Sequence, residues 1–182
     1  DIIDNDTATV SIANTTDGDE TGPVAGVFTV TQTAAASVDT VLTYSVGGTA
    51  TSGNDFTALS GTVTIAAGST TATINVATID DALVEATEDV IVTLTGITAS
   101  DPQVTINGAD DVATLDIVDN DVATVSIAHT ADGKETGSVS GVFTVKQTAA
   151  ASVDTVLTDS VGGSATSGTD FTALRGTVTI AA

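Results

Sequence analysis

Gly61-Thr62-Val63-Thr64-Ile65-Ala66-Ala67-Gly68 decides the fold. Apolar and hydroxyl residues alternate with a period of two. In an extended strand this sends Val63 and Ile65 to one face and the threonines to the other. Glycine closes the run at both ends. The same alternation recurs over Ala8–Ala13, Gly26–Thr33, Thr40–Val46, Thr70–Thr78, Glu88–Thr95 and Val112–Val118. Turn formers separate the runs at Asp17-Gly18, Gly47-Gly48, Ser52-Gly53, Ala67-Gly68, Asp101-Pro102 and Asn107-Gly108. Seven short strands in one unit predict an all-β, seven-stranded immunoglobulin-like β-sandwich. No helix of ordinary length is expected; Asp81–Glu85 is read as a single turn. Phe28, Tyr44 and Phe56 are expected in the core or at its edge.

The pattern repeats. An offset of 115 aligns residues 1–67 with 116–182 without a gap, and 55 of the 67 positions are identical. Tandem repeats of 115 residues divide the chain into three expected parts: the C-terminal tail of a preceding module (1–6), a complete module (7–121), and the N-terminal half of a second, truncated module (122–182). The sequence stops at Ala181-Ala182, in the middle of the pattern and before the counterpart of Gly68–Leu115. Half a module buries too little surface to form an independent core.

Charge narrows the function. Asp and Glu total 24 against 3 Lys+Arg, a net charge of −21, and residues 1–133 contain no Lys or Arg. Nucleic acid and anionic membrane surfaces are excluded as partners, because both need basic contacts. Hydrophobic residues make up 41% of the chain, which supports a core rather than disorder. Cysteine is absent, so no disulfide contributes. No run approaches the ~18 apolar residues of a membrane span, and membrane insertion is not expected. The sequence opens in mid-pattern with no signal-peptide features, so targeting information is expected elsewhere on a longer parent chain.

The acids collect in loops: Asp17, Asp19 and Glu20; Asp55; Asp80, Asp81, Glu85 and Glu88; Asp119 and Asp121. In a sandwich of this strand order these loops can share one end. Two carboxylates about 4 Å apart repel by roughly 4 kcal/mol at an effective dielectric near 20. Several such pairs exceed the roughly 5–15 kcal/mol stability of a domain. Either the loops splay into solvent, or divalent cations sit among them. Calcium suits an all-oxygen set of flexible geometry; magnesium demands a tight octahedron. The plainer reading keeps the acids as turn formers and solubilising charge. Glu85 and Glu88 have their own alternative, as acids near a helix N-terminus.

Four stretches resemble a known family: Gly-Thr-Ala-Thr-Ser-Gly-Asn-Asp-Phe (48–56), the Gly61–Gly68 run, Ile-Asp-Asp-Ala-Leu-Val-Glu-Ala-Thr-Glu-Asp (79–89) and Ala-Thr-Leu-Asp-Ile-Val-Asp-Asn-Asp (113–121). Together with the Glu20 turn they resemble the Calx-β (Calx-beta) domain, found in sodium–calcium exchangers, in an integrin subunit and as tandem repeats of large bacterial surface proteins. The resemblance implies a sandwich with Ca2+ at one end, held by Glu20, Asp55, Asp80, Asp81, Glu85, Glu88, Asp119 and Asp121. It implies that Asp4 and Asp6 serve a preceding module. It gives the half module Glu135 and Asp170, an incomplete set. Two positions depart from the acid-rich family pattern, Ala82 and Asn120, which points to weaker or fewer sites. Such sites fit extracellular calcium of about 10⁻⁴–10⁻³ M.

The expected function follows from the resemblance: a calcium-binding structural or adhesive module, extracellular or on a bacterial surface, whose partners are calcium and the neighbouring repeats. A self-assembling filament or surface layer, built from copies of the chain, is one alternative. Calcium-dependent glycan binding, helped by Thr rows, is another. An enzyme is not expected: aromatics are only 3%, and His129 has no counterpart in the complete module.

Overall fold

The computed structural model describes residues 5–182. The chain separates into two compact units. The first takes in residues up to Asp81 and Ala86–Asn120; the second takes in Ala82–Glu85 and Asp121–Ala182.

In the first unit the alternating runs form strands β1 (Ala8–Thr16), β2 (Gly18–Asp19), β3 (Gly26–Gln32), β4 (Thr40–Gly48), β5 (Thr62–Ile65), β6 (Thr71–Val76), β7 (Glu88–Ala99), β8 (Val104–Ile106) and β9 (Val112–Val118). One sheet has the order β6-β3-β1-β8, the other β2-β9-β7-β4-β5. Seven of these strands match the alternating runs. The two short ones, β2 and β8, pair in parallel with β9 and β1. They carry no periodicity of their own, and main-chain bonding to a neighbour defines them.

Alternation decides what each sheet buries. Val10 and Ile12 of β1 and Phe28 and Val30 of β3 face inward from the first sheet. Leu42 and Tyr44, Val90, Val92 and Leu94, and Ala113, Leu115 and Ile117 face them from the second. Phe56 joins the same core from a loop. Burying each large apolar side chain contributes about 1.5–3 kcal/mol, offset by its lost freedom. Tyr44 keeps its hydroxyl 3.4 Å from Ser60 Oγ. The second copy has Asp159 and Arg175 at these two positions, so opposite charges replace two hydroxyls.

The strand order brings the loops after β2, β4 and β6 to the end of the sheet where β9 finishes. The chain changes sheets at Asp17. That carboxylate accepts from the Asn14 amide (2.7 Å) and from the backbone N–H of Asp116 on β9 (3.1 Å). Gly18 follows in a tight space: a Cβ there would lie 2.7 Å from Thr78 Cγ2.

The second unit is less complete. β10 (Val125–Ala131) pairs with β11 (Val142–Gln147), and β12 (Thr155–Thr158) with β13 (Thr177–Ile180), as two separate two-stranded sheets. The expected helical turn at 81–85 does not form, and no helix occurs among the described residues. The physical reason is a pairing distant in sequence: Val84 donates its N–H to the Ala150 carbonyl (2.9 Å) and accepts from the Ser152 N–H (3.1 Å). The groups a helix would use are committed to a β-bridge.

Gly48 tests the framework that positions the β4–β5 loop. Its φ is +115°, and a Cβ would fall 2.2 Å from the Asp89 carbonyl oxygen. Gly48→Ala is expected to destabilise the first unit by about 2 kcal/mol or more. Denaturant unfolding followed through Tyr44, the sole tyrosine in a chain without tryptophan, checks this.

Candidate metal site at the loop end of the first module

Asp55 reaches its place by a self-contained turn. Thr51 C=O accepts the N–H groups of Asn54 (3.1 Å) and Asp55 (3.0 Å), and Phe56 C=O accepts that of Gly53 (2.8 Å). The Thr51 N–H closes the turn on the Asp55 carboxylate. The Ile79 N–H then donates to the Asp55 carbonyl (2.9 Å), fastening this loop to the segment after β6. Phe56, 2% exposed, anchors the turn in the core, and Asp55 itself is buried.

A clamp joins the end of β4 to the start of β7. The Thr49 hydroxyl and N–H both donate to Asp89 Oδ1 at 2.7 Å, and the Asp89 N–H donates back to Thr49 Oγ1 at 2.9 Å. The clamp fixes the residue next to Glu88, and so sets where the Glu88 carboxylate begins.

Glu20 comes from the other side. Its N–H donates to the Val118 carbonyl (3.1 Å), which carries the chain along the end of β9. Thr78 Oγ1 supports the turn by donating to the carbonyls of Val24 (3.1 Å) and Asp19 (3.3 Å). Glu20 is only 4% exposed.

Two groups of carboxylates result. Glu20, Asp119 and Asp121 each bring one oxygen within 4.8 Å of the others, and so do Asp55, Glu85 and Glu88. Asp80, exposed, accepts from the Asn120 amide at 3.1 Å. This bond links the segment carrying one group to the segment carrying the other. Asp81 is exposed and belongs to neither group. Asp6 lies beyond the opposite end of β1, where it lines a cavity of about 50 Å³ with Gln32 and Asp101. Asp4 lies outside the described residues. Glu135 and Asp170, in the second unit, are exposed and in neither group.

The donor set suits a hard cation. Oxygens on one Ca2+ at about 2.4 Å lie at most about 4.8 Å apart, and the oxygens of each group fall within that limit. All six ligand candidates are carboxylates, and nitrogen and sulfur ligands are absent from both, which disfavours zinc. Two charges at that separation repel by about 3.5 kcal/mol at an effective dielectric near 20, less where solvent screens them.

The sequence did not signal four of the supporting residues. Thr49 and Asp89 lie 40 positions apart and meet through strand pairing. Asp17 looks like an ordinary turn former. Asn120 stands where an acid was expected, and its amide supplies a hydrogen bond a carboxylate could not.

A two-sheet sandwich with grouped carboxylates at one end and no basic side chain in its sequence is the class of module these features define. The Calx-beta domain profile matches residues 4–121 and again 119–182, and the chain belongs to that family. Two solved structures are similar. The apo form of the Calx CBD1 domain shares 20% identity, covers 64% of this chain and 100% of its own, and has a TM-score of 0.52. CBD12 from CALX1.2 shares 15%, with 76% of this chain and 70% of its own covered and a TM-score of 0.51. At these identities the likeness is one of fold. No curated protein matches the chain significantly.

The Thr49 clamp makes a titratable prediction. Its hydroxyl first, and its N–H second, hold the Asp89 carboxyl below its ordinary pKa. A depressed carboxyl contributes stability above its unfolded pKa and loses it as pH falls through the folded value. Thr49→Val is expected to raise the Asp89 pKa toward the ordinary aspartate value, measured by NMR titration of its side-chain carbon. An unchanged pKa would assign the shift to the backbone N–H alone.

Proposed function

We propose that this chain is a calcium-binding structural repeat of an extracellular or cell-surface protein, and that calcium stiffens a long array of such modules. The observation that carries the reading is the pair of three-carboxylate groups in a stretch of sequence without Lys or Arg. With no internal counterion, a divalent cation is the partner that removes the repulsion. Calx-beta domains are a family of calcium-binding modules, and a binding rather than a catalytic role accords with that membership.

The repeat arrangement supports the structural part. The second family match begins at residue 119, within the last residues of the first, and no Gly/Pro/Ser-rich linker separates the copies. Ala82 and Asn120 reduce the acid count relative to the family pattern, in keeping with extracellular calcium concentrations.

Calorimetric titration of the full chain tests the proposal. For a site of about 10⁻⁴ M affinity, 1 mM calcium stabilises the folded state by about 1.4 kcal/mol. Glu20→Gln and Asp55→Asn are each expected to abolish binding in their own group and leave the other intact. Chelator should lower the melting temperature by several degrees and shorten the scattering profile of multi-repeat chains. A melt indifferent to chelator would sink the reading.

A further inference from the structure

Native sheet edges are blunted by shortness, charge, proline or a bulge. In the complete first module the edge strands β2, β8 and β5 have only two, three and four residues. β6 ends the first sheet and is longer, Thr71–Val76. It has no charged side chain, no proline and an unbroken register against β3. Two hydrogen bonds fix which way its main chain points. The Thr70 carbonyl accepts from the Gln32 N–H at the end of β3 (2.7 Å), and the Ala77 carbonyl accepts from the Thr57 N–H on the opposite side (2.9 Å). Main-chain groups alternate in direction along a strand, so Thr71, Thr73 and Asn75 aim their N–H and C=O groups away from β3. All three residues are exposed, and no strand lies beside them on that side. A cleft of about 220 Å³ runs along the same edge, between Thr73–Asn75 and Ala58–Ser60, with Tyr44 among its walls.

Charge points to the occupant. Residues 56–79 contain no charged side chain, the longest such run in a chain of net charge −21. The run takes in β5, the 57–61 segment and β6, so this flank of the module is neutral while its loops are acidic. Two copies brought together by their loops repel; along this flank the repulsion is least. We propose that β6 is a pairing surface for a second copy of this chain, strand to strand and antiparallel about a two-fold axis at Thr73. In that register Thr73 meets the partner's Thr73, Thr71 meets the partner's Asn75, and Asn75 meets the partner's Thr71. Every outward N–H and C=O of the three residues then has a main-chain partner. Ala72 falls beside the partner's Ile74 on the core side, and hydroxyls and amides face one another on the outer side. The two-fold lets one patch serve both copies. Thr57 already occupies the edge at Ala77, which confines the pairing to Thr71–Asn75. The contact uses neither carboxylate group and stands whether or not they bind calcium.

Sedimentation of the full chain in chelator tests the pairing. A dimer is expected at concentrations on the order of 0.1 mM, the weak range of an interface below about 1,200 Å², and it tightens as salt screens the net charge. Thr73→Pro removes an outward N–H that the fold leaves unused, and is expected to abolish the dimer with little change in the melt. Thr73→Lys opposes like charges across the axis and is expected to weaken the dimer at least about tenfold. Thr31→Lys, a change the second copy carries as Lys146, places the same charge one strand away and is expected to leave the dimer intact. A chain that stays monomeric to about 1 mM, or a dimer that survives both Thr73→Pro and Thr73→Lys, would overturn the proposal. So would a dimer that Phe143→Asp abolishes and Thr73→Pro does not, which would assign the contact to the second unit.

Discussion

The absence of any basic side chain from the first 133 residues constrains everything else in the first unit. No Lys or Arg of its own neutralises its carboxylates, and several of them are held by neutral groups. Backbone N–H donors, threonine hydroxyls and asparagine amides do this work. Thr51 holds Asp55, Thr49 holds Asp89, Asn14 and a β9 amide hold Asp17, and Asn120 holds Asp80. Hydrogen bonds to an ionised acceptor are stronger than neutral ones, yet they leave the net charge in place. An acidic end built this way keeps its attraction for cations, whereas one laced with arginines would have spent it.

The same donors explain why the loops are exact in position although they are loops. Each is fastened at both ends to a strand of the sandwich: the Asp55 turn through Phe56 and Ile79, the Glu20 turn through Val118 and Thr78. Sites on rigid elements hold geometry better than sites on free loops. Here the loops borrow that rigidity by crossing from one sheet to the other. The change of sheet at Asp17 places Glu20 beside the end of β9, and it requires Gly18, because a side chain there would strike Thr78 and Ile117.

The two copies of the repeat separate local from global effects. In the second unit the Thr166 N–H still donates to the Asp170 carboxylate (2.7 Å), the Asp170 N–H to the Thr166 carbonyl (2.9 Å) and the Gly168 N–H to the Phe171 carbonyl (2.8 Å). These are the bonds of the Asp55 turn, formed without its surroundings. Yet Asp55 is buried and Asp170 exposed. Likewise β10 and β11 pair in the register of β1 and β3, including the irregularity after Asn14, which recurs after His129. What differs is burial: Phe143 and Ile127 are exposed where Phe28 and Ile12 are buried.

Strand positions, the all-β class and the repeat could be read from the sequence because a two-residue period and a 115-residue offset are properties of the chain itself. The turn geometry around Asp55 and Asp170 belongs with them, since its bonds span five residues. Which acids converge was only partly legible: Glu20, Asp55, Glu85, Glu88, Asp119 and Asp121 come into groups, whereas Asp81 is in neither group and Asp80 accepts from an amide. The helical turn expected at 81–85 failed because the segment around Ala151, distant in sequence, took the hydrogen bonds of Val84. Proximity between residues 40 or 100 positions apart depends on strand order, and strand order is set by which apolar faces cover one another. That is why burial, the grouping of the carboxylates and the Thr49–Asp89 clamp were decided only by the tertiary structure.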